Sequence, residues 1–251
     1  MEDNEKIPDQ VEDIKKLSKQ FSTFIPYQPI MKDVAAYIFT SGTTGLPKAA
    51  LVDHAKLVKG SFAGHFLCFN FNKNDRLYMT LPLYHSTGLI LGWAASLRSG
   101  CPNVIKSKFS ASDFWNDVKK YNVNKFIYVG ELCRYLMNLP PSEGDKDNPI
   151  TQISGNGLRP DIWESFQKRF NINKIVEIYG ATEAVGMTIN SFGRSGMIGR
   201  KRSDSTIIHC NKDDGSPILS DKGFCTKVSE GETGLYTVSY THLTLPTICS
   251  V

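Results

Sequence analysis

From Val34 to Tyr179 short β-prone runs alternate with helical ones, and few architectures accept that order. The β-prone runs lie at 35–40, 76–81, 103–106, 125–129, 151–154 and 174–179. Helical runs follow at 53–69, 88–97, 111–121, 131–138 and 159–170. Strand–helix alternation predicts a largely parallel sheet with helices on both faces. Ligands in such sheets bind at the carboxyl ends of the strands, where the unusual residues of this chain fall. Beyond Tyr179 the alternation stops. Residues 190–236 are rich in Gly, Ser and charge, with short β-prone runs at 206–209 and 224–228, and predict a loop-rich β appendage.

Composition narrows the function classes. The chain has 251 residues, 41% hydrophobic and 22% charged, which suits one large domain or two small ones. Its +4 formal charge is scattered, without a block of like charge that would make a nucleic-acid arm. The run Gly199-Arg200-Lys201-Arg202 reads as a solvated loop. Six cysteines form no CxxC pair and have no His at zinc-ligand spacing, which points to reduced, mostly buried thiols in an intracellular protein. Residues 1–30 form a polar leader without the features of a signal peptide, and 11–21 predict a short amphipathic helix with Val11, Ile14, Leu17 and Phe21 on one side. The charge-free stretch 77–97 holds Pro82, His85, Ser86, Thr87 and two glycines, and reads as strand, loop and buried helix, not a membrane span.

Four stretches carry chemistry. Thr40-Ser41-Gly42-Thr43-Thr44-Gly45-Leu46-Pro47-Lys48 combines glycines, hydroxyls and a cation, the composition of a phosphate-gripping loop. Its Lys48 follows Pro47, three residues after Gly45, and 49–52 is β-prone. The loop therefore joins two strands and is not a Walker A loop, which needs Gly-Lys leading into a helix. Pro82-Leu83-Tyr84-His85-Ser86-Thr87-Gly88 places a His at a strand end, although His85 alone reads better as a core or capping residue. Gly155-Asn156-Gly157 opens a helix after a strand, where a flat ring or a phosphate can approach the backbone. Tyr179-Gly180-Ala181-Thr182-Glu183 offers an aromatic face, a hydroxyl and a carboxylate, groups that suit a base, a phosphate and Mg²⁺. Alone, Glu183 is an ordinary solvated loop carboxylate.

Taken together, TSGTTGLPK, PLYHSTG and YGATE in that order closely resemble the signatures of the adenylate-forming superfamily of acyl-CoA synthetases, luciferases and peptide-synthetase adenylation domains. KFSASDFW, YVGELCRYL, GNGLRPDIW and RFNI further resemble the fatty acid transport protein and very-long-chain acyl-CoA synthetase group. The resemblance covers most of residues 35–235. It implies part of the large N-terminal domain of such an enzyme, ATP and Mg²⁺ as cofactors, and fatty acid and coenzyme A as co-substrates. Matched residue by residue, it implies that Thr40, Ser41, Gly42, Thr43, Thr44, Gly45 and Lys48 grip the β- and γ-phosphates. Thr182 would touch the α-phosphate and Glu183 would bind the metal. Tyr179, followed by Gly180 and Ala181, would stack on adenine, with Gly155, Asn156 and Gly157 lining the base pocket. His85 would sit by the acyl carboxylate, and Tyr128, Gly130 and Glu131 would border the acyl pocket.

Departures from the pattern also shape the expectation. The stretch with the ribose-binding Asp and following Arg, the hinge, the C-terminal domain with its adenylation lysine, and the N-terminal part with its membrane anchor have no match here. The expectation is an internal fragment: a leader at 1–30, a partial AMP-binding domain at 31–236, and a foreign tail at 237–251. VSYTHLTLPT matches one translated frame of a common transposase library adapter. The parent is expected inside the cell on a membrane of the endoplasmic reticulum, peroxisome, lipid droplet or plasma membrane. Sequencing the genomic locus tests the tail: no exon should encode residues from about Val238 onward in frame, and an exon that does refutes a foreign origin.

Overall fold

The computed structural model describes residues 27–40, 48–182, 187–200 and 204–238. The expected helix at 11–21 and most of the expected foreign tail lie outside the described residues.

Strands β1 (Val34–Thr40) and β2 (Lys48–Asp53) form an antiparallel hairpin that pairs Thr40 with Lys48. Its alternation is that of a half-buried ribbon: Ile38, Ala50 and Val52 face the core, while Tyr37, Phe39 and Leu51 face out. Helix α1 (His54–Ala63) follows at once, and the Asp53 carboxylate caps it by accepting from the Lys56 N–H at 2.6 Å. The helix continues in wide π turns over Gly64–Phe69 and stops at Asn70, whose φ of 49° is left-handed.

A six-stranded sheet forms the body, in the order β4-β3-β5-β6-β7-β8. β3 (Leu77–Met79), β4 (Asn103–Ile105), β5 (Lys125–Val129), β6 (Gln152–Asn156) and β7 (Lys174–Gly180) pair in parallel, and β8 (Met187–Ile189) adds an antiparallel edge. The connections are α2, with π turns over Thr87–Ala94 and α turns over Ala95–Ser99, then α3 (Ala111–Lys120), α4 (Gly130–Met137) and α5 (Pro160–Arg169). Ser110 caps α3, and Pro160 opens α5 where its missing N–H costs nothing.

Alternation along the strands explains the two helical layers. Tyr78 and Phe126 point to α3, where their rings meet Phe114 at centroid distances of 5.3 and 4.8 Å. Met79 and Ile127, one residue on, point to α2: a methyl group on Gly92 would come within 2.9 Å of the Met79 sulfur and 3.2 Å of Ile127. Both faces are therefore buried, as a parallel sheet requires. The fold is α/β, a mostly parallel sheet flanked by helices, as the alternation predicts.

The appendage differs in detail. β9 (Ser205–Ile208) pairs with β10 (Leu235–Val238), whereas 224–228 forms only isolated bridges through Cys225 and Lys227. Its backbone meets the β9 segment through only two hydrogen bonds, from the His209 N–H to the Thr226 carbonyl at 2.9 Å and from the Val228 N–H to the Ile207 carbonyl at 3.1 Å, while the Phe224 N–H is engaged by the Ser220 side chain. Cys68, Cys101 and Cys133 are buried free thiols, and burial pushes the Cys68 thiol up to about 12. Cys210 and Cys225 are also free thiols but sit nearer the surface. Among the described residues no helix is long and apolar enough to cross a membrane.

Phe114 has no exposed surface and touches rings on the adjacent strands β3 and β5. Phe114→Ala should cost about 3–5 kcal/mol, read as a lower urea midpoint at unchanged slope.

Candidate functional site

The carboxyl ends of β3, β5, β6 and β7 carry the turns that the sequence singles out. After β3 the chain turns at Pro82, with the His85 N–H donating to the Pro82 carbonyl at 3.1 Å. His85 is exposed, and its Nδ1 accepts from the Thr87 N–H at 3.3 Å, which leaves Nε2 as the ring's outward donor. Ser86 and Thr182 share a hydroxyl–hydroxyl hydrogen bond of 3.0 Å across 96 residues of sequence. Thr87 Oγ1 lies 3.5 Å from the Asn156 side-chain oxygen, on the next turn. The turns after β3, β6 and β7 thus meet as one surface rich in hydroxyls.

The hairpin joins them through its helix. Lys56, in the first turn of α1, donates its ammonium to the Thr182 carbonyl. Lys48, at the start of β2, is exposed, and Thr40 Oγ1 lies 3.4 Å from its carbonyl. Ser41, Gly42, Thr43, Thr44 and Gly45, expected to grip phosphates, lie outside the described residues, as does Glu183. The loop's two anchors, Thr40 and Lys48, are paired across the hairpin.

Tyr179 ends β7 with half of its surface exposed (50%) and an edge contact to Tyr236 at 6.0 Å between centroids. An exposed ring beside Gly180 and Ala181, which are also exposed, is suited to stack on a flat base. Gly157 is exposed with φ +82°, a left-handed conformation that glycine adopts freely.

Beneath this surface lies a buried carboxylate. Glu177, on β7, is 4% exposed. It accepts from the Tyr128 hydroxyl at 2.5 Å, from the Leu158 N–H at 3.2 Å, and from the Gly157 N–H. Tyr128 has no exposed surface (0%), so its side chain supports the strand-end face from below, and the expected pocket-bordering role does not describe it. Gly155 is likewise buried: a methyl group there would lie 2.0 Å from the Tyr128 carbonyl oxygen. Gly130 packs against the same turn, with 1.7 Å from a built Cβ to the Gly157 oxygen. Only the half-buried Asn156 and the exposed Gly157 of the Gly-Asn-Gly turn face outward. Glu131 is exposed and paired with Arg134 at 2.6 Å on the surface of α4.

The exposed and half-buried groups fit a nucleotide: hydroxyls from Ser86 and Thr182, two lysines, and an exposed ring, while the expected metal ligand Glu183 lies outside the described residues.

The profile of the family described as "AMP-binding enzyme" matches residues 2–218. The chain belongs to the AMP-binding enzyme family. It is 44% identical over 211 residues to long-chain fatty acid transport protein 6 of Mus musculus, covering 82% of this chain and 34% of that protein. It is also 44% identical over 209 residues to long-chain fatty acid transport protein 3 of Mus musculus, covering 81% and 31%. The chain thus spans about a third of the length of these relatives. In fold it is similar to ATP-bound MatB from Rhodopseudomonas palustris, with TM-score 0.69, 20% identity, and 86% of this chain and 41% of that chain covered.

Within this member of the AMP-binding family, the sequence motifs missed four contributors. Ser86 and Thr87 lay inside a quoted motif in which only His85 received a role. Lys56 has no local signal, because its partner is 126 residues away. Glu177 did carry one: a charge within the apolar β-run KIVEIYG.

Burial raises the Glu177 pKa above the ordinary 4.5, against the opposing pull of its three donors. The native state then holds its proton at pH values where the unfolded chain has lost it. The stability that Glu177 adds, relative to the Glu177→Gln variant, should fall as pH rises from about 4.5 through the raised value, and level off above it. Urea titrations of both proteins across this range check the sign; a difference that grows with pH refutes it.

Proposed function

We propose that the protein activates long- or very-long-chain fatty acids to acyl-CoA through an acyl-adenylate, with this chain supplying the face that grips ATP. The observation that carries the reading is the meeting of three elements at Thr182: its own turn after β7, Ser86 from the turn after β3, and Lys56 from the helix after the hairpin. Likeness to long-chain fatty acid transport proteins supports that substrate class.

In the first step the fatty carboxylate attacks the α-phosphorus of ATP, and the bond to pyrophosphate breaks. Negative charge spreads over the phosphate oxygens, so positioned donors matter more than covalent chemistry. Lys48, Thr40, Ser41, Gly42, Thr43, Thr44 and Gly45 would hold the β- and γ-phosphates, and Thr182 the α-phosphate. Tyr179 would stack on adenine, with Asn156 and Gly157 at its edge. His85 would orient the carboxylate through its outward nitrogen. Glu183 would hold Mg²⁺, which when bound neutralises charge on the phosphates. In the second step the coenzyme A thiolate attacks the acyl carbonyl and AMP leaves. Residues 31–236 would act as part of one AMP-binding domain, in a parent associated with an intracellular membrane.

A second reading follows from the relatives' printed names: a module that moves or traps fatty acid at a membrane, with ligation secondary. The phosphate loop and Glu183 favour ligation, since trapping alone needs neither.

In the full-length protein, pyrophosphate release with a C24 acid should drop by about 10²–10³ in Lys48→Ala or Glu183→Ala. Fatty acid uptake that survives both substitutions favours trapping. This chain alone should show no ligase turnover, and acyl-CoA formed by it overturns that expectation.

A further inference from the structure

The loop after β8 lies at the opposite end of the sheet from the nucleotide face. β8 starts beside Gly180, at the site end of β7, and runs antiparallel away from it. At its far end Gly193 packs on Ile175 and Lys174, at the amino end of β7. This loop is built rather than slack. Asn190 is buried and its side-chain NH₂ donates to the carbonyls of Arg194 at 2.6 Å and Met197 at 2.8 Å. Its side-chain oxygen accepts from the Arg194 N–H at 3.1 Å. Thr188 donates to the Ile198 carbonyl at 3.2 Å, and Gly199 lies flat on the backbone of Ile189.

This fixed frame holds apolar side chains in water. Phe192 is 73% exposed, and Met197 and Ile198 about half. Ser191 donates to the Leu67 carbonyl at 3.2 Å, which sets the loop beside the end of the first helix, where Phe66 and Leu67 are also half exposed. Isolated exposed apolar residues need no explanation, but a patch on a preorganised loop does. Its charge supplies one. Between Glu183 and Asp204 the sequence has four cations and no acidic residue. Arg194 and Arg200 alternate with the apolar side chains and are exposed, and neither forms an ion pair among the described residues.

We propose that this loop, with Phe66 and Leu67 beside it, docks on an anionic membrane surface. Phe192, Met197 and Ile198 enter the interface, Arg194 and Arg200 meet lipid phosphates, and the nucleotide face points to the aqueous side. A free phosphate ligand would use the arginines but not the apolar residues around them. The contact does not depend on the reaction proposed above.

Co-sedimentation of the 251-residue chain with vesicles tests it. The chain should bind phosphatidylcholine vesicles containing about three parts in ten phosphatidylserine, and bind pure phosphatidylcholine far less. Arg194→Gln with Arg200→Gln should weaken partitioning about 30-fold, and added salt should weaken it too. Phe192→Ser with Ile198→Ser should abolish it, while Phe224→Ser, equally exposed but in the appendage, should leave it unchanged. Matched circular dichroism and melting midpoints show that the variants are folded. Absence of binding, equal binding to both vesicle types, or binding indifferent to the loop substitutions overturns the proposal and leaves the face to a protein partner.

Discussion

A carboxylate buried under the strand ends is the interaction on which the candidate site depends. Burying a carboxylate is costly unless its oxygens are hydrogen-bonded. Glu177 meets that demand with donors from two other elements: Tyr128 on β5, and the peptide N–H groups of Gly157 and Leu158 after β6. One side chain therefore sets the relative heights of three strand ends. The close approach of Gly130 and Gly155 to neighbouring backbone belongs to the same construction, because any side chain at either position would force the turns apart.

The site consequently has two levels. Below are Tyr128, Gly155 and Glu177, which hold the turns and are buried. Above are Tyr179, Thr182, Ser86, His85 and Gly157, free to meet a ligand. The hairpin that carries the proposed phosphate loop is a separate two-stranded sheet, and α1 ties it to the upper level by way of Lys56 and the Thr182 carbonyl. Asp53 matters here because its cap fixes the first turn of α1, on which Lys56 sits.

Much of the fold is legible in the sequence. A parallel sheet covered on both faces writes itself as apolar β-runs between amphipathic helices, and each strand from β1 to β7 falls within a residue or two of its expected place. The composite π and α helices were not legible, since an apolar run such as TGLILGWA has no period that separates one kind of turn from the other. The strand expected at 224–228 is of another kind: β-propensity reports a surface that fits a pleat, while a ladder needs consecutive paired residues, and here only single bridges form.

The sequence by itself determined the family, the order of the strand-end motifs and the set of groups proposed to meet a nucleotide, because those depend on residue type and spacing along the chain. Tertiary structure alone decided which of those groups are exposed at the strand ends and which are buried beneath them. Tyr128 reads as a pocket residue in the sequence, yet burial makes it, with Glu177, a support. Lys56 and Ser86 look like surface residues, yet the crossing of elements brings both to Thr182. Burial and contact between residues 96 or more apart are properties of packing, and no local pattern encodes them.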